Sequence, residues 1–155
     1  MITADHGEHL DDYGVERGHG TLWITNLRTP LLIRCPGLIE TGTVVDELTR
    51  QIDVLPTVLD YCALPLPYDV QGMSLRGLIE GEDAGLRLVH QGQAVHGEAD
   101  TVTVRTEDYT FFFGDTRALV HVFNRRVDPT EDADLWQEGA AQQSVAHSLH
   151  DGRQR

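Results

Sequence analysis

The segment Met1–Glu8 reads MITADHGE. Its first four residues have the apolar and β-branched character of the last part of a buried strand, and the polar cluster Asp5-His6-Gly7-Glu8 follows at once. Open α/β sheets place their ligands at the carboxyl ends of their strands. The segment therefore predicts an α/β protein with a ligand site directly after its first strand.

Carboxylates and imidazoles are concentrated in the loop that follows, residues 5–20. Carboxylate oxygen and imidazole nitrogen together suit a divalent cation. Neighbouring Asp5 and His6 can share one ion if the backbone turns between them, and Gly7 permits such a turn. From composition alone, a solvated acidic loop with incidental histidines is an equally good interpretation. The cluster consists of Asp5, His6, Glu8, His9, Asp11, Asp12 and His19.

The next part of the chain predicts one strand and two helices. The apolar run Leu31–Ile33 lies between proline-containing turns, and such a run indicates a buried, parallel strand. Asp53 is expected to cap a helix over residues 54–62, whose apolar residues recur at helical spacing. A second short helix is expected over residues 72–80.

The character of the sequence changes after residue 85. Three β-prone runs, separated by short turns, predict an antiparallel meander whose aromatic segment 111–113 belongs to the core. A short helix is expected over residues 139–149. The predicted organisation is an α/β part over 1–82, a small antiparallel β subdomain over 86–135 and a flexible tail over 136–155. The three runs are 101–106, 109–113 and 118–123.

Composition excludes several classes of protein. The length of 155 residues suits one ordinary domain. The 25 acidic residues and 12 arginines give a net charge of −13, and this negative charge disfavours nucleic acid as a partner. No apolar run approaches the roughly 18 residues that span a bilayer, so we expect no membrane partner. No export leader is visible at Met1, and the cytoplasm is the expected compartment. Cys35 and Cys62 are expected to be buried free thiols, with one disulfide between them as the alternative.

The order of the motifs resembles that of sulfatases, in the alkaline phosphatase superfamily. TADHGE at 3–8 resembles the metal-binding T/S-x-D-H-G-E stretch, and LRTPLLIRCPG at 27–37 resembles L-R-V-P-L-I-I-R-x-P-G. The resemblance runs in the right order to about residue 135. It implies an α/β fold: the C-terminal part of an alkaline phosphatase-like sandwich, followed by a small antiparallel sheet. Further matches are IDVLPTVLD at 52–60, GMSL at 72–75, VRTEDY at 104–109 and VDPTE at 127–131.

The resemblance also implies roles for three residues. Asp5 and His6 would be two ligands of a divalent cation, with calcium as the expected ion and manganese or zinc as alternatives. His19, in Gly18-His19-Gly20, would stand where many relatives have a lysine that binds the ester oxygens. It would then bind the anionic substrate and act in catalysis, as a cation or a general acid. The other histidines are expected to be structural or at the surface: His90, His96, His121, His147 and His150.

One part of the family pattern is not found in these residues. Sulfatases carry a formylglycine nucleophile made from Cys or Ser in C/S-x-P/A-x-R, and this chain has no such motif. The resemblance therefore implies part of a sulfuric ester hydrolase, inactive by itself, acting on an anionic ester. A phosphate or phosphonate ester hydrolase and a non-catalytic remnant or partner subunit are the alternatives. The expected protein partner is a missing N-terminal half, or a second copy joined through an exposed strand edge.

Overall fold

The computed structural model describes residues 1–14, 17–82, 89–93, 101–114 and 118–136, with the backbone alone at 89–93. The helix expected over 139–149 lies outside the described residues, as do the side chains of the two histidine pairs at 90/96 and 147/150. The division into parts at residues 82, 86 and 135 stays a prediction.

The N-terminal part contains short elements joined by long connections. Strand β1 (Ile2–Thr3) pairs with β2 (Leu31–Leu32), and helix α1 (Ile24–Leu27) lies between them in sequence. The pairing is antiparallel, with Ile2 opposite Leu32, so the predicted parallel direction was wrong. The prediction that these strands are buried was also wrong, because Ile2 is 67% exposed and Leu32 is 57% exposed. An apolar run marks a strand, but it does not encode the direction of the neighbouring strand.

Two further helices follow, close to their predicted positions: α2 (Val54–Tyr61) and α3 (Arg76–Ile79). Asp53 precedes α2, but its side chain makes no capping hydrogen bond to that helix. Its buried carboxylate instead accepts hydrogen bonds from the Arg50 side chain at 2.8 Å and from the Met73 amide at 3.0 Å. The predicted cap is therefore corrected to a link between the segment before α2 and the segment before α3.

The C-terminal part is the predicted antiparallel meander. Its strands are β3 (Val89–Gln93), β4 (Thr101–Arg105), β5 (Tyr109–Phe113) and β6 (Leu119–Asn124), in the order β3-β4-β5-β6. Strand β3 was not predicted. Of the aromatic segment 111–113, only Phe112 is buried, because successive side chains of a strand point to opposite faces.

The core lies between the meander and the segment around α1. Leu22, Phe112 and Phe123 form the buried apolar cluster, and Trp23 and Leu27 pack against it. The Trp23 and Phe112 rings have centroids 4.7 Å apart. The meander therefore packs against the segment 18–26 and holds it in position.

Both cysteines are free, as expected, but the expected burial was wrong. Cys35, in the connection after β2, is partly exposed, and Cys62, directly after α2, is exposed. Within the described ranges, no helix has the length and apolar character needed to cross a bilayer.

Candidate functional site

The site is built where the loop after β1 folds against the segment that leads into α1. The Gly7 amide donates a hydrogen bond to the Asn26 carbonyl at 2.6 Å, and the His9 amide donates one to the Gly18 carbonyl at 2.8 Å. These two backbone contacts bring residues 5–9 beside residues 18–26. Side chains from both segments can therefore act on one ligand.

Gly7 is required at this contact by the space around it. A Cβ atom at position 7 would lie 2.0 Å from the Thr25 carbonyl oxygen, far closer than any stable contact. The sequence indicated that Gly7 allows a turn. The structure shows a stronger reason, which is the close approach of two backbones.

Three exposed side chains converge at this junction. One nitrogen or oxygen from each of His6, Glu8 and His19 lies within 4.8 Å of the other two. The rings of His6 and His19 stack with centroids 4.3 Å apart, and His19 Nδ1 lies 3.5 Å from Glu8 Oε2. Exposed side chains can close the remaining few tenths of an ångström by rotating, so a cation at about 2.0–2.6 Å from each donor fits this set.

The hydrogen bonds of His6 leave one of its nitrogens free for a cation. His6 Nδ1 lies 2.6 Å from the Gly7 carbonyl oxygen, which can only accept, so Nδ1 carries the proton. The lone pair of a neutral imidazole then belongs to Nε2. Nε2 is 3.8 Å from Asp5 Oδ2, so both groups can reach one ion.

The backbone that carries Asp5 is held from two sides. The His6 amide donates to Asp5 Oδ1 at 3.0 Å, and backbone hydrogen bonds of this kind lower the pKa of the Asp5 carboxyl. The Gln51 side-chain amide donates to the Ala4 carbonyl at 2.6 Å and to the Asp5 carbonyl at 2.8 Å. The carboxylate is therefore ionised at neutral pH, and the backbone that carries it is held by Gln51.

The structure separates His9 from this cluster. His9 is fully buried, with Nε2 at 2.5 Å from Thr21 Oγ1 and Nδ1 at 2.9 Å from Thr25 Oγ1. Both nitrogens have partners, so His9 stabilises the junction and offers no ligand atom. Glu8 was noted in the sequence only as part of an acidic cluster. Its position two residues after His6 was the one signal that could have marked it as a ligand.

The cluster opens into a cleft of about 1100 Å³. Asp5, His6 and His19 line it together with side chains from α1, the connection 39–52 and the meander. The volume lies just above the usual range of small-molecule sites, about 300–1,000 Å³, and the exposed side chains can be reached from solvent. The geometry therefore combines a cluster of candidate cation ligands with a cleft of the size of a small-molecule site.

Comparison with protein families gives one match over most of the chain. A family model described as "N-sulphoglucosamine sulphohydrolase, C-terminal" matches residues 20–154. An arylsulfatase of Clostridium perfringens is 29% identical over 138 residues, which is 87% of this chain and 28% of that protein. An extracellular sulfatase SULF-1 homolog of Drosophila melanogaster is 35% identical over 87 residues, 56% of this chain and 8% of that protein. The chain thus spans less than a third of these relatives.

Solved structures confirm the predicted alkaline phosphatase-like α/β fold. An enzyme in complex with its substrate D-glucosamine-2-N,6-O-disulfate aligns with a TM-score of 0.78 at 23% identity, over 98% of this chain and 33% of that one. A 2-O GAG sulfatase aligns at 0.74 and 20% identity, over 98% and 35%. A phosphonate monoester hydrolase from Silicibacter pomeroyi aligns at 0.76 and 25% identity, over 98% and 33%. The resemblance noted from the sequence motifs is thereby confirmed.

Two expectations are affected by these matches. The expectation of a cytoplasmic protein was wrong, because the relatives include sulfatases named as extracellular in Drosophila melanogaster and Caenorhabditis elegans. The expectation of a metal is supported at the level of the family, since sulfatases generally use a divalent metal ion.

Proposed function

This chain belongs to the sulfatase family, in the region described as the C-terminal part of N-sulphoglucosamine sulphohydrolase, and from that membership we propose that it forms the C-terminal part of a metal-dependent sulfuric ester hydrolase. The observation that carries the proposal is the convergence of His6, Glu8 and His19 beside Asp5 at the end of β1. Two segments distant in sequence supply these groups, and the cleft places them in reach of a substrate.

In this proposal Asp5 and His6 are ligands of the cation, and Glu8 is a further candidate ligand. His19 faces the same point from the other segment, where it binds the anionic ester oxygens and offers a proton to the leaving oxygen. The cation supplies positive charge against the charge that develops on the ester oxygens. The anionic ester meets a strongly acidic chain, so local positive charge at this point has to offset the net charge of −13.

The identity of the cation is open to a direct test. The family resemblance favours calcium, which prefers oxygen donors such as the carboxylates of Asp5 and Glu8. The imidazole of His6 favours manganese or zinc, because imidazole nitrogen is a ligand that suits these ions. Comparing the three ions on the same chain decides between these two arguments.

We further propose that another polypeptide segment, equivalent to the N-terminal half of the family, covers the apolar surface around β1 and β2. Several large apolar side chains are exposed there, and β1 and β2 form a sheet of two strands with an unpaired outer edge on each within the described residues. Apolar side chains and open strand edges together favour association with another chain. Association of two copies is the alternative. The exposed residues are Met1, next to β1, Ile2 and Leu32.

The proposed activity is tested by reading the nucleotide sequence upstream of Met1 and expressing the longest open frame that contains this chain. If that frame encodes C/S-x-P/A-x-R, the product should hydrolyse 4-nitrophenyl sulfate, and His6→Ala and His19→Ala should each abolish at least about 99% of turnover. The 155-residue chain serves as the control and should show no turnover. An intact nucleophile motif without sulfate ester hydrolysis would contradict the proposal.

A phosphonate or phosphate ester hydrolase is the second candidate function. The phosphonate monoester hydrolase that shares the fold supports this alternative. Assays of 4-nitrophenyl sulfate, 4-nitrophenyl phosphate and a phenylphosphonate ester with one enzyme preparation separate the two activities by their ratio of kcat/KM. A frame with no nucleophile motif would instead favour a non-catalytic chain.

A further inference from the structure

Three arginines from separate segments line the same cleft as Asp5, His6 and His19. Arg28 follows α1, Arg105 ends β4 and Arg125 follows β6. Twelve arginines are the only basic side chains apart from histidine in a chain of net charge −13. Arg50, which is paired with Asp53, and the carboxylates of Asp5, Asp46 and Glu47 also line this cleft, so the three arginines form a basic group within a mixed lining.

Among the described residues, only Arg105 of these three arginines donates a hydrogen bond to a carboxylate. Arg105 is paired with Glu131 at 2.9 Å, but its Nε is buried without a hydrogen-bond partner. Arg125 donates through Nη1 to the carbonyl oxygens of Thr106 and Glu107, which carry no formal charge. Within the described part of the chain, no hydrogen bond or ion pair involves the exposed Arg28 side chain.

The arginines are close enough to repel one another. The pKa of Arg125 is lowered, first by burial, then by the positive charge of Arg105, with a further contribution from Arg28. Glu131 and Asp108 act in the opposite direction, but Glu131 is bonded to Arg105 and Asp108 to Arg126. An anion in the cleft would relieve the remaining repulsion.

We propose that Arg28 and Arg125, backed by Arg105, form an oxyanion subsite that is separate from the cation cluster. Its ligand is a sulfate or phosphate group. Guanidinium groups suit such ligands because their N–H donors match two oxygens at once. The assignment to a substrate rests on the proposed function: an ester with two anionic groups would place one at the cation cluster and the second at the arginines.

The subsite is tested on the 155-residue chain by following amide chemical shifts during titration with sodium sulfate, at ionic strength held constant with sodium chloride. Arg28→Ala should weaken sulfate binding by about tenfold, the effect of losing one charge-assisted hydrogen bond. Arg28 is the first choice because it is exposed and supports no neighbour. Arg126→Ala is the matched control, since Arg126 is exposed, carries the same charge and is outside the cleft lining.

Specific results would overturn the subsite. Equal weakening by Arg28→Ala and Arg126→Ala would mean that sulfate responds only to general charge. Shifts confined to residues outside the cleft, or no saturable binding, would also overturn it. Arg125→Gln should weaken binding as well, and its melting temperature shows whether the loss reflects folding.

A parallel titration with manganese separates this inference from the proposed function. His6→Ala should abolish manganese binding and leave the affinity for sulfate within about twofold. Arg28→Ala should weaken sulfate binding about tenfold and leave the affinity for manganese within about twofold. If the unchanged chain binds sulfate but not manganese, the result would contradict the proposed function and leave the oxyanion subsite standing. With manganese present, glucosamine-2-N,6-O-disulfate should bind more tightly than glucosamine-6-O-sulfate, and Arg28→Ala should remove that preference. Equal affinity for the two sugars would contradict the assignment to a second substrate group.

Discussion

The Arg105 guanidinium and the Glu131 carboxylate form an ion pair at 2.9 Å with side chains only 4% and 1% exposed. The pair also reaches the first part of the chain. Arg105 Nη2 donates to the Leu22 carbonyl at 2.8 Å, and Glu131 accepts from the Ile24 amide at 2.9 Å. One buried charge pair therefore links the meander to the segment that leads into α1 and carries His19.

Replacing one member of this pair should destabilise the chain strongly. Glu131→Ala leaves a buried guanidinium without its counter-ion, and we expect the free energy of unfolding to fall by about 3–5 kcal/mol. Urea denaturation followed by tryptophan fluorescence measures the change, because Trp23 lies in the adjoining core. Arg126→Ala, which removes an exposed pair with Glu107 and Asp108, is the control and should change little.

A second comparison distinguishes lost charge balance from lost packing at this pair. The double variant Arg105→Met/Glu131→Leu removes both charges and should be more stable than Glu131→Ala. Equal or lower stability of the double variant would show that the pair matters through its hydrogen bonds to Leu22 and Ile24.

Gly7→Ala should disrupt the junction that forms the site. The added methyl group would meet the Thr25 carbonyl oxygen at 2.0 Å, so the loop after β1 must move away from α1. We expect a lower melting temperature and loss of cation binding. Gly114→Ala is the matched control, because its added Cβ would meet only Val120 Cγ1 at 3.5 Å, an ordinary contact. Equal effects of the two changes would contradict the close backbone approach at Gly7.

Asp53 should contribute stability that depends on pH. Burial alone raises the pKa of Asp53, but hydrogen bonds from Arg50 and from the Met73 amide outweigh burial, and the pKa lies below its ordinary value of 3.8. Since the lowered pKa belongs to the folded state, the stabilisation is present above about pH 4 and is lost as the pH falls through the folded pKa.

Asp53→Asn should therefore lower the free energy of unfolding at pH 7 by about 1–3 kcal/mol, the usual effect of breaking buried hydrogen bonds to a charged group. The difference from the unchanged chain should shrink as the pH falls below about 4. Urea denaturation at several pH values measures it. Asp11→Asn, at an exposed pair with Arg17, is the control. A difference that stays constant from pH 7 to pH 3 would be inconsistent with ionised Asp53.

Gln51 should act as a positioning residue for the cation cluster. Its side-chain amide donates to the carbonyl oxygens of Ala4 and Asp5, and both bonds hold the backbone that carries the carboxylate. Gln51→Met keeps the length of the side chain and removes both donors, so cation affinity should fall by roughly three- to tenfold. The melting temperature should change little, because Gln51 is exposed.

Isothermal titration calorimetry measures that loss, with Gln71→Met as the matched control at another exposed glutamine. If Gln51→Met binds the cation as tightly as the unchanged chain, Gln51 has no positioning role at the site.

The sequence predicted the two helices and the antiparallel meander correctly, for physical reasons that act over short distances, whereas the cation site after β1 stays a prediction. The polar cluster after an apolar strand, the periodicity of 54–62 and the β-prone runs after residue 100 are all local signals. The direction of β2 was missed because it depends on its pairing partner, Ile2–Thr3. The roles of His9, Asp53 and Glu131 were missed because each depends on contacts with distant segments.

We propose that the junction of residues 5–8 with His19 binds a divalent cation. Isothermal titration of the 155-residue chain with manganese, zinc and calcium tests it most directly. The control is His121→Asn, which removes a histidine elsewhere while leaving a side-chain partner for Asp134. We expect one saturable site per chain, lost in His6→Ala, weakened in His19→Ala and unchanged in His121→Asn. Equal binding by the unchanged chain and His6→Ala would contradict the claim.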